Sequence, residues 1–327
     1  MITLSSQTLP TLQQSKNLLA FSAGVDSSAL FFLLLENNIA FDIALVNYGL
    51  RPQSNTEEAY AQTLAKKHHL TAHIAHAPSW SSNFEKNARD FRYAFFDELM
   101  IKQGYHNLIT AHQLNDQLEW LLMRLSKGAG TVELVGLEPL SKRKAYQLVR
   151  PLLHHSKEAL QHYLEQHGYH YFVDESNHDE QYERNWFREH LANQLIARYE
   201  QGIARSFEYL RADKEQLQNR YQVRYHHQDL YILELQDPSI KIRVIDKYLK
   251  RLGYLLSASQ REVLSKEDSI VLGGKWAVEI RGVRIYISPY VQTIMPKKYK
   301  ERCRVAKIPP KIRGYAYLQG IDPNSMV

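Results

Sequence analysis

Between residues 18 and 127 short apolar runs alternate with amphipathic helical stretches, and that rhythm restricts the fold more than any other feature of the chain. The runs at 18–22, 41–47, 70–75 and 107–111 read as strands, and the stretches at 26–36, 56–67, 84–103 and 114–126 read as helices. Such a succession predicts βαβ units and a parallel sheet with helices on both faces, an α/β fold. In sheets of this kind ligands lie beyond the carboxyl ends of the strands. The residues just after each strand are therefore the ones to read for chemistry.

The first strand runs into Ser22-Ala23-Gly24-Val25-Asp26-Ser27-Ser28, and a helix begins near Asp26. Strand, turn of small residues and helix N-terminus form an anion cradle, because backbone N–H groups and the helix dipole favour negative charge there. Ser22, Ser27 and Ser28 add hydroxyls, and Gly24 is expected to supply a conformation closed to most residues. No Gly-Lys-Ser/Thr ending is present, so the turn has no lysine of its own aimed at a terminal phosphate. Asp26 instead offers a carboxylate of the kind that holds magnesium beside phosphates. An ordinary strand-to-helix connection capped by small residues would look similar.

After the second strand, Asn47-Tyr48-Gly49-Leu50-Arg51 combines a bifunctional amide with a guanidinium. In the helix after the third strand Phe84, Phe91, Phe95 and Leu99 are expected to face the core, while Glu85 and Arg89 stand four apart. Arg89 and Arg92 could equally meet an anionic partner. Beyond the fourth strand, His112, Asp116 and Glu119 recur at spacings of four and three, on one face of a helix beginning there. Asp116 suits a metal or the orientation of His112, and His112 suits proton transfer near neutral pH. Farther on, Arg150-Pro151-Leu152-Leu153 leads into a helix from Ser156 to His167, capped by Ser156 and stopped by Gly168. Asp174 and Glu175 then end a strand-like run, and Arg184 and Arg188 follow within a short distance.

With 327 residues the chain is long enough for two or three domains. Forty-one basic against 35 acidic residues give a net charge of +6, a mild leaning toward polyanions. Cys303 is the single cysteine, which excludes a disulfide framework and a cysteine-based metal site and suggests a reducing cytoplasm. The first residues lack a signal-peptide pattern, and the longest apolar run, 29–35, is too short to span a bilayer, so no membrane association is expected.

The turn at Ser22–Ser27 resembles the PP-loop, Ser-Gly-Gly-x-Asp-Ser, of the ATP pyrophosphatases, with Ala23 in place of the first glycine. The ordered set Asn47–Arg51, Asn87-Ala88-Arg89 to Tyr93, Ala111-His112 to Asp116-Gln117-Leu118-Glu119, Arg150–Leu153, and Asp174-Glu175-Ser176-Asn177 to Arg184-Asn185 is similar to the tRNA(Ile)-lysidine synthetases over about residues 16 to 195. The resemblance implies that ATP adenylates the C2 oxygen of the wobble cytidine in the CAU anticodon of isoleucine tRNA. Free L-lysine then displaces AMP. It further implies that Ser22, Ala23, Gly24, Val25, Asp26 and Ser27 hold ATP, and that Asp26 and Asp116 lie near Mg2+. His112 and Asp116 would lie near the reacting base, with Arg184 or Arg188 near base or tRNA. Tyr48, Gln113 and Asn115 depart from the family pattern, where His, His and Asp are usual. That leaves Asp116 as the expected catalytic carboxylate. The resemblance leaves room for a homodimer.

The expected division is a catalytic domain at 1–199, a charged helical linker at 200–235 and a smaller α+β domain at 236–327. In the last, helices at 240–251 and 259–266 precede strands at 269–272, 276–280 and 284–287. The basic stretch from Pro296 to Arg313, with Tyr299 and Tyr315 interleaved, suits RNA phosphates or is a solvated tail. Two rivals remain at this point. A tRNA thiolase shares the ATP chemistry, but many use cysteine pairs that this chain lacks. A non-catalytic RNA-binding protein with a decayed nucleotide site would need neither Asp26 nor His112.

Overall fold

The structure, a computed structural model, describes residues 2–50, 52–80, 82–173 and 183–326. Arg51, Asp174, Glu175, Ser176 and Asn177, all singled out from the sequence, lie outside the described residues. The chain forms two compact units, Met1–Arg211 and Ala212–Val327.

In the first unit α1 (Leu9–Gln13) precedes β1 (Asn17–Ala20), α2 (Val25–Glu36), β2 (Phe41–Asn47) and α3 (Pro52–Lys67). Then come β3 (Ala72–His76), α4 (Phe84–Lys102), β4 (Asn107–Ile109), α5 (Leu114–Leu125) and α6 (Thr131–Val135). Two short strands, β5 (Leu140–Lys142) and β6 (Gln147–Val149), lead to α7 (Lys157–His167) and α8 (Glu183–Phe187). A π-helical turn, Arg188–Ala192, joins α8 to the long α9 (Asn193–Gln218). The sheet order is β3-β2-β1-β4-β6-β5, parallel except for β5.

Period-two alternation decides which helices cover which face. Leu19, Ile43, Ile109 and Val149 point to the side packed by α2, α3 and α7, through Leu30, Leu34, Ala61, Leu64, Leu160 and Leu164. Their neighbours Leu18, Ala44, Leu108 and Leu148 point to the other side, where Phe96 and Met100 of α4 pack with Tyr105 and Tyr146. The buried residues of α4 are Ala88, Phe96 and Met100; of the expected core face, Phe95 and Leu99 pack half-buried against this same core, while Phe84 and Phe91 do not. Phe84 and Phe91 instead meet Trp80 edge-on, an aromatic cluster outside the sheet core. α3 starts four residues earlier than predicted, at Pro52, a residue preset for the first helical position.

The second unit is built on a wholly antiparallel sheet of order β7-β8-β11-β10-β9. Its strands are β7 (Tyr221–His227), β8 (Leu230–Leu235), β9 (Ser269–Leu272), β10 (Trp276–Arg281) and β11 (Arg284–Pro289). Helices α10 (Lys241–Arg251) and α11 (Ala258–Lys266) pack one face through Val244, Ile245, Leu249 and Leu264. Helices α12 (Lys297–Val305) and α13 (Pro310–Leu318) pack the other through Cys303, Ile312, Tyr315 and Ala316.

Two expectations need correction here. The helical linker at 200–235 is helical only to Gln218; β7 and β8 then form a hairpin in the sheet. Tyr-Gln-Val-Arg-Tyr-His-His is polar because β7 is an outer strand with most side chains exposed, which hides a strand among charged residues. The basic stretch near the end is no loose tail but two helices, each with one apolar face in the core. Among the described residues no helix is long and apolar enough to cross a membrane.

Candidate functional site

At the carboxyl end of β1 the backbone turns through Ser22 and Ala23 into α2, whose N-cap is Gly24. The left-handed conformation that a glycine usually supplies falls at Ala23, with φ of 59°. Gly24 has φ −75° and ψ 171°, open to any residue, and a Cβ there would make only ordinary contacts with the Ser22 hydroxyl and the Phe172 carbonyl. The conformational role assigned to Gly24 thus belongs to Ala23. Ala23 is fully buried, and its carbonyl accepts the Phe172 N–H at 2.9 Å, a bond that pins the turn from outside.

Within the turn, the Ser22 N–H donates to Ser27 Oγ at 3.2 Å, and Ser27 Oγ donates to the Gly24 carbonyl. The first intrahelical bond is Ser28 N–H to Gly24 at 2.9 Å. The N–H groups of Val25, Asp26 and Ser27 precede it and have no intrahelical acceptor, which leaves them for an anion.

Asp26 carries the electrostatic strain of the site. Its Oδ1 is enclosed and has no hydrogen-bond partner. Burial, reinforced by the negative charge of Asp116, pushes its carboxyl up to about 7, against the pull of Lys157 and Arg188. An enclosed carboxylate oxygen without a partner fits a divalent cation that takes its remaining ligands from phosphate and water. No group of three or more His, Cys, Asp or Glu converges on a metal site among the described residues, so Asp26 is suited to a shared cation and not to a protein cage.

β4 lies beside β1, and its carboxyl end carries the second half of the site. His112 is half-buried there, with Nδ1 2.9 Å from the Thr110 hydroxyl. Burial lowers its imidazole to about 4, so it is neutral at physiological pH, although Asp116 pulls the other way. Gln113 is the N-cap of α5: its Oε1 accepts the Asn115 N–H, and Asp116 Oδ2 accepts the Gln113 N–H at 3.0 Å, a reciprocal capping box. Burial alone would raise the Asp116 carboxyl, but His112, Arg184 and the Gln113 N–H hold it below the usual range. Asp116 is therefore ionised.

Arg184 and Arg188, one helical turn apart, converge on this helix. Arg184 donates through Nη2 to Asp116 Oδ1 at 2.5 Å and through Nε to Glu119 Oε2 at 2.6 Å. Arg188 Nε reaches Glu119 Oε1 at 2.6 Å. Glu119 is fully buried and acts as the anchor for both guanidiniums. A buried carboxylate of this kind is tolerated because each oxygen is paired.

The structure thus brings together Asp26, Asp116, Arg188 and, electrostatically, Lys157, with His112 and Arg184 on the same cluster. Glu119 and Lys157 belong to this cluster as well, and the sequence alone does not mark them as site residues. Glu119 was visible at the right spacing but had no evident partner, since Arg184 and Arg188 lie more than sixty residues away. Lys157, the first residue of α7, supplies from a distant helix the positive charge that the turn itself lacks.

The departures from the family pattern mostly serve the scaffold. Asn115 is buried and bridges the Lys157 N–H at 3.1 Å and the Asn193 side chain at 3.0 Å. Tyr48 packs edge-on against Phe84 and points its hydroxyl at the Ala88 carbonyl, 3.4 Å away. Asn47 is spent on its own loop, with Nδ2 donating to Glu58 at 2.8 Å and Oδ1 accepting from Gly49 at 2.9 Å. Glu85 and Arg89 form no ion pair; Arg89 lies over the Tyr93 ring, 5.2 Å from its centroid.

Residues 3–195 match the family model of the PP-loop domain. A tRNA(Ile)-lysidine synthase of Campylobacter jejuni subsp. jejuni is 43% identical over 324 residues, which is 99% of both chains. Those of Wolinella succinogenes and Helicobacter pylori are 45% and 40% identical, over 95% of this chain and 95% and 92% of theirs. Among solved structures, a U34-tRNA thiolase from Methanococcus maripaludis, described with its [4Fe-4S] cluster, superimposes with a TM-score of 0.51 at 17% identity. That likeness covers 64% of this chain and 74% of the other, and it speaks for the fold alone. A PP-loop turn, a parallel sheet that brings its strand ends to one site, and identity along nearly the whole length lead to one conclusion: the chain belongs to the tRNA(Ile)-lysidine synthase family of ATP-binding PP-loop proteins.

Proposed function

We propose that the chain converts the wobble cytidine of the CAU anticodon of isoleucine tRNA to lysidine, using ATP and free lysine. The cytidine C2 oxygen attacks the α-phosphorus of ATP and pyrophosphate leaves. The lysine ε-nitrogen then attacks C2; the C–O bond breaks, AMP leaves with that oxygen, and the nitrogen gives up its protons. The observation that carries this reading is the placing of the PP-loop carboxylate Asp26 and of Asp116 at the ends of neighbouring strands β1 and β4, close enough that the Asp116 charge helps to raise the Asp26 carboxyl.

In this reading the N–H groups of Val25, Asp26 and Ser27 and the ammonium of Lys157 hold phosphate oxygens. Asp26 is the residue to hold Mg2+, because its Oδ1 is enclosed and unpartnered. When bound, magnesium would withdraw charge from the phosphates and favour pyrophosphate as a leaving group. Asp116 is less suited to a metal, since both its oxygens are engaged by Gln113 and Arg184. It orders the site as an ionised carboxylate and takes the lysine ammonium when Arg184 shifts to the substrate. His112, held neutral by burial, keeps Nε2 for hydrogen bonding to the base or for receiving a proton.

The decisive test follows labelled lysine into unmodified isoleucine tRNA with a CAU anticodon, with and without ATP and magnesium. Incorporation that requires ATP and falls by about a hundredfold or more in Asp116→Ala is the expected result. Pyrophosphate release without lysine transfer would overturn the lysidine reading, and undiminished transfer in the variant would remove Asp116 from the mechanism.

A further inference from the structure

Arg150 follows β6 directly, at the carboxyl edge that also carries His112, and is only 8% exposed. One of its terminal nitrogens donates to the Glu138 carbonyl at 2.8 Å and to Ser141 Oγ at 2.9 Å, but its Nε is buried with no partner. Arg89 and Arg143 both lie 5.2 Å from the centroid of the Tyr93 ring, one from α4 and the other from the turn between β5 and β6. Both act electrostatically on Arg150, and Arg92 and Arg150 both act on His112.

The four arginines thus form one positive stripe running from the site across α4 to the β5–β6 hairpin. Among the described residues, none of the four has a carboxylate within ion-pair distance. Glu138 attracts Arg150 electrostatically, and its backbone carbonyl takes the Arg150 hydrogen bond. The acids of α4 are engaged elsewhere or stand apart: Asp97 accepts the Tyr146 hydroxyl at 2.5 Å, Glu98 pairs with Lys102, and Glu85 and Asp90 join none of the four. Lys142 and Lys144 flank Arg143 on the hairpin and are exposed. Burial first, and then the like charges of Arg143 and Arg89, lower the Arg150 guanidinium from its usual range. A solvated charged face would disperse such groups or pair them. A bound polyanion would relieve the repulsion.

We propose that Arg89, Arg143 and Arg150, with Arg92 at the site end, form a phosphate track for the RNA backbone flanking the nucleotide that is modified. This rests on the proposed function, since it takes RNA as the substrate. Guanidiniums pair well with phosphodiester oxygens, and a half-buried tyrosine beneath two of them fixes their planes. Phosphate contacts of this type position a substrate without reading its sequence.

The test titrates unmodified CAU tRNA against the full chain over a potassium chloride series, with Arg89→Gln, Arg143→Gln and, as control, Lys102→Gln at the far end of α4. Arg150→Gln is set aside because its burial makes misfolding a confounding result. Each arginine variant is expected to bind tRNA roughly 3- to 10-fold more weakly at low salt. The slope of log affinity against log salt should become shallower by about 0.7 to 0.9 for each lost contact. Lys102→Gln, with the same charge change, should leave the slope unaltered, and ATP affinity should hold in all three.

Unchanged slopes in the arginine variants would overturn the track. A loss of ATP affinity in place of RNA affinity would assign the phosphate chemistry to the nucleotide and overturn it too. The two readings fail separately. Variants that lose RNA affinity in a chain that transfers no lysine keep the track and refute lysidine formation. Lysine transfer with unaltered slopes refutes the track alone.

Discussion

Ala23 sits at φ 59°, in the left-handed region, inside a turn pinned by the Phe172 N–H and by the serine hydroxyls. An L-residue there carries a steric cost of about 1–2 kcal/mol, which the surrounding bonds must offset. Ala23→Gly should therefore raise the unfolding free energy by about 0.5–1 kcal/mol, after allowing for glycine's greater freedom in the unfolded chain. Chemical denaturation checks this, and a drop in stability would mean that the buried methyl contributes more by packing than the turn loses by strain. At Asp26 the same turn stores a larger penalty. Its carboxyl titrates near 7 when folded against 3.8 when unfolded, so the stability tied to the protonated form is complete below about pH 4 and lost as pH rises through 7. Asp26→Asn removes that dependence. The ligand-free variant should be more stable than the parent by about 3 kcal/mol at pH 8, with little difference at pH 4. Pyrophosphate release should be abolished. Thermal melts across pH, paired with a turnover assay, check both halves. Residues of this kind are only partly legible in sequence. Asp26, His112 and Asp116 can be picked out by position after a strand, whereas the strain at Ala23 and the isolation of Asp26 Oδ1 depend on atoms brought in by other segments.

At the scale of elements, α8 and the π-helical turn are held to α5 by Glu119. Breaking a buried pair by removing one partner costs about 3–5 kcal/mol. Glu119→Ala should lose that much stability by denaturant titration, and lysine transfer should fall even where the fold survives, because Arg184 and Arg188 lose their common anchor. The second unit offers a steric counterpart. Gly314 lies in α13, and a Cβ there would fall 2.0 Å from the Val291 carbonyl oxygen, a backbone atom with little room to move. Gly314→Ala should destabilise the chain by about 1–3 kcal/mol or more, measured the same way. The sequence told these elements apart unevenly. β2 was legible to the residue because Phe41–Asn47 is buried and mostly apolar. β5 and β6 are three residues each, too short for any period to register. In α12 and α13 the basic face is continuous in the sequence, while the apolar face is reduced to Cys303, Ile312, Tyr315 and Ala316 scattered among lysines and arginines.

At the scale of the molecule, charge is paired differently within each of the two units. The +6 net charge is modest, yet arginines without carboxylate partners gather by the site while Arg224, Arg302 and Arg304 in the second unit are neutralised locally by Glu234, Asp322 and Glu301. His112 and Asp26 also set opposing trends in global stability. His112 is ordinary at 6.5 when unfolded and lowered to about 4 when folded, so its contribution is complete above 6.5 and lost as pH falls toward 4. Asp26 runs the other way over nearly the same interval, so the two trends nearly cancel: the melting temperature of the ligand-free chain should stay almost flat between about pH 4 and pH 6.5, whereas Asp26→Asn should expose the His112 trend and rise across that interval to a plateau. A melt series that rises steadily to pH 9 would contradict this pairing.

The β7–β8 hairpin has a consequence of another kind. Its pairing slips between Val223 and Tyr225, where the extra residue Arg224 turns both ends of its guanidinium onto Glu234. β7 is the outermost strand of its sheet, the place where a second polypeptide could add itself rung by rung. A bulge breaks the even spacing that such an intruder needs, and a charge at the break makes the mismatch costly. During synthesis, when many copies crowd together with their sheets newly formed, deleting Arg224 to restore even spacing should increase light scattering from aggregates, the outcome expected if this irregularity guards the edge.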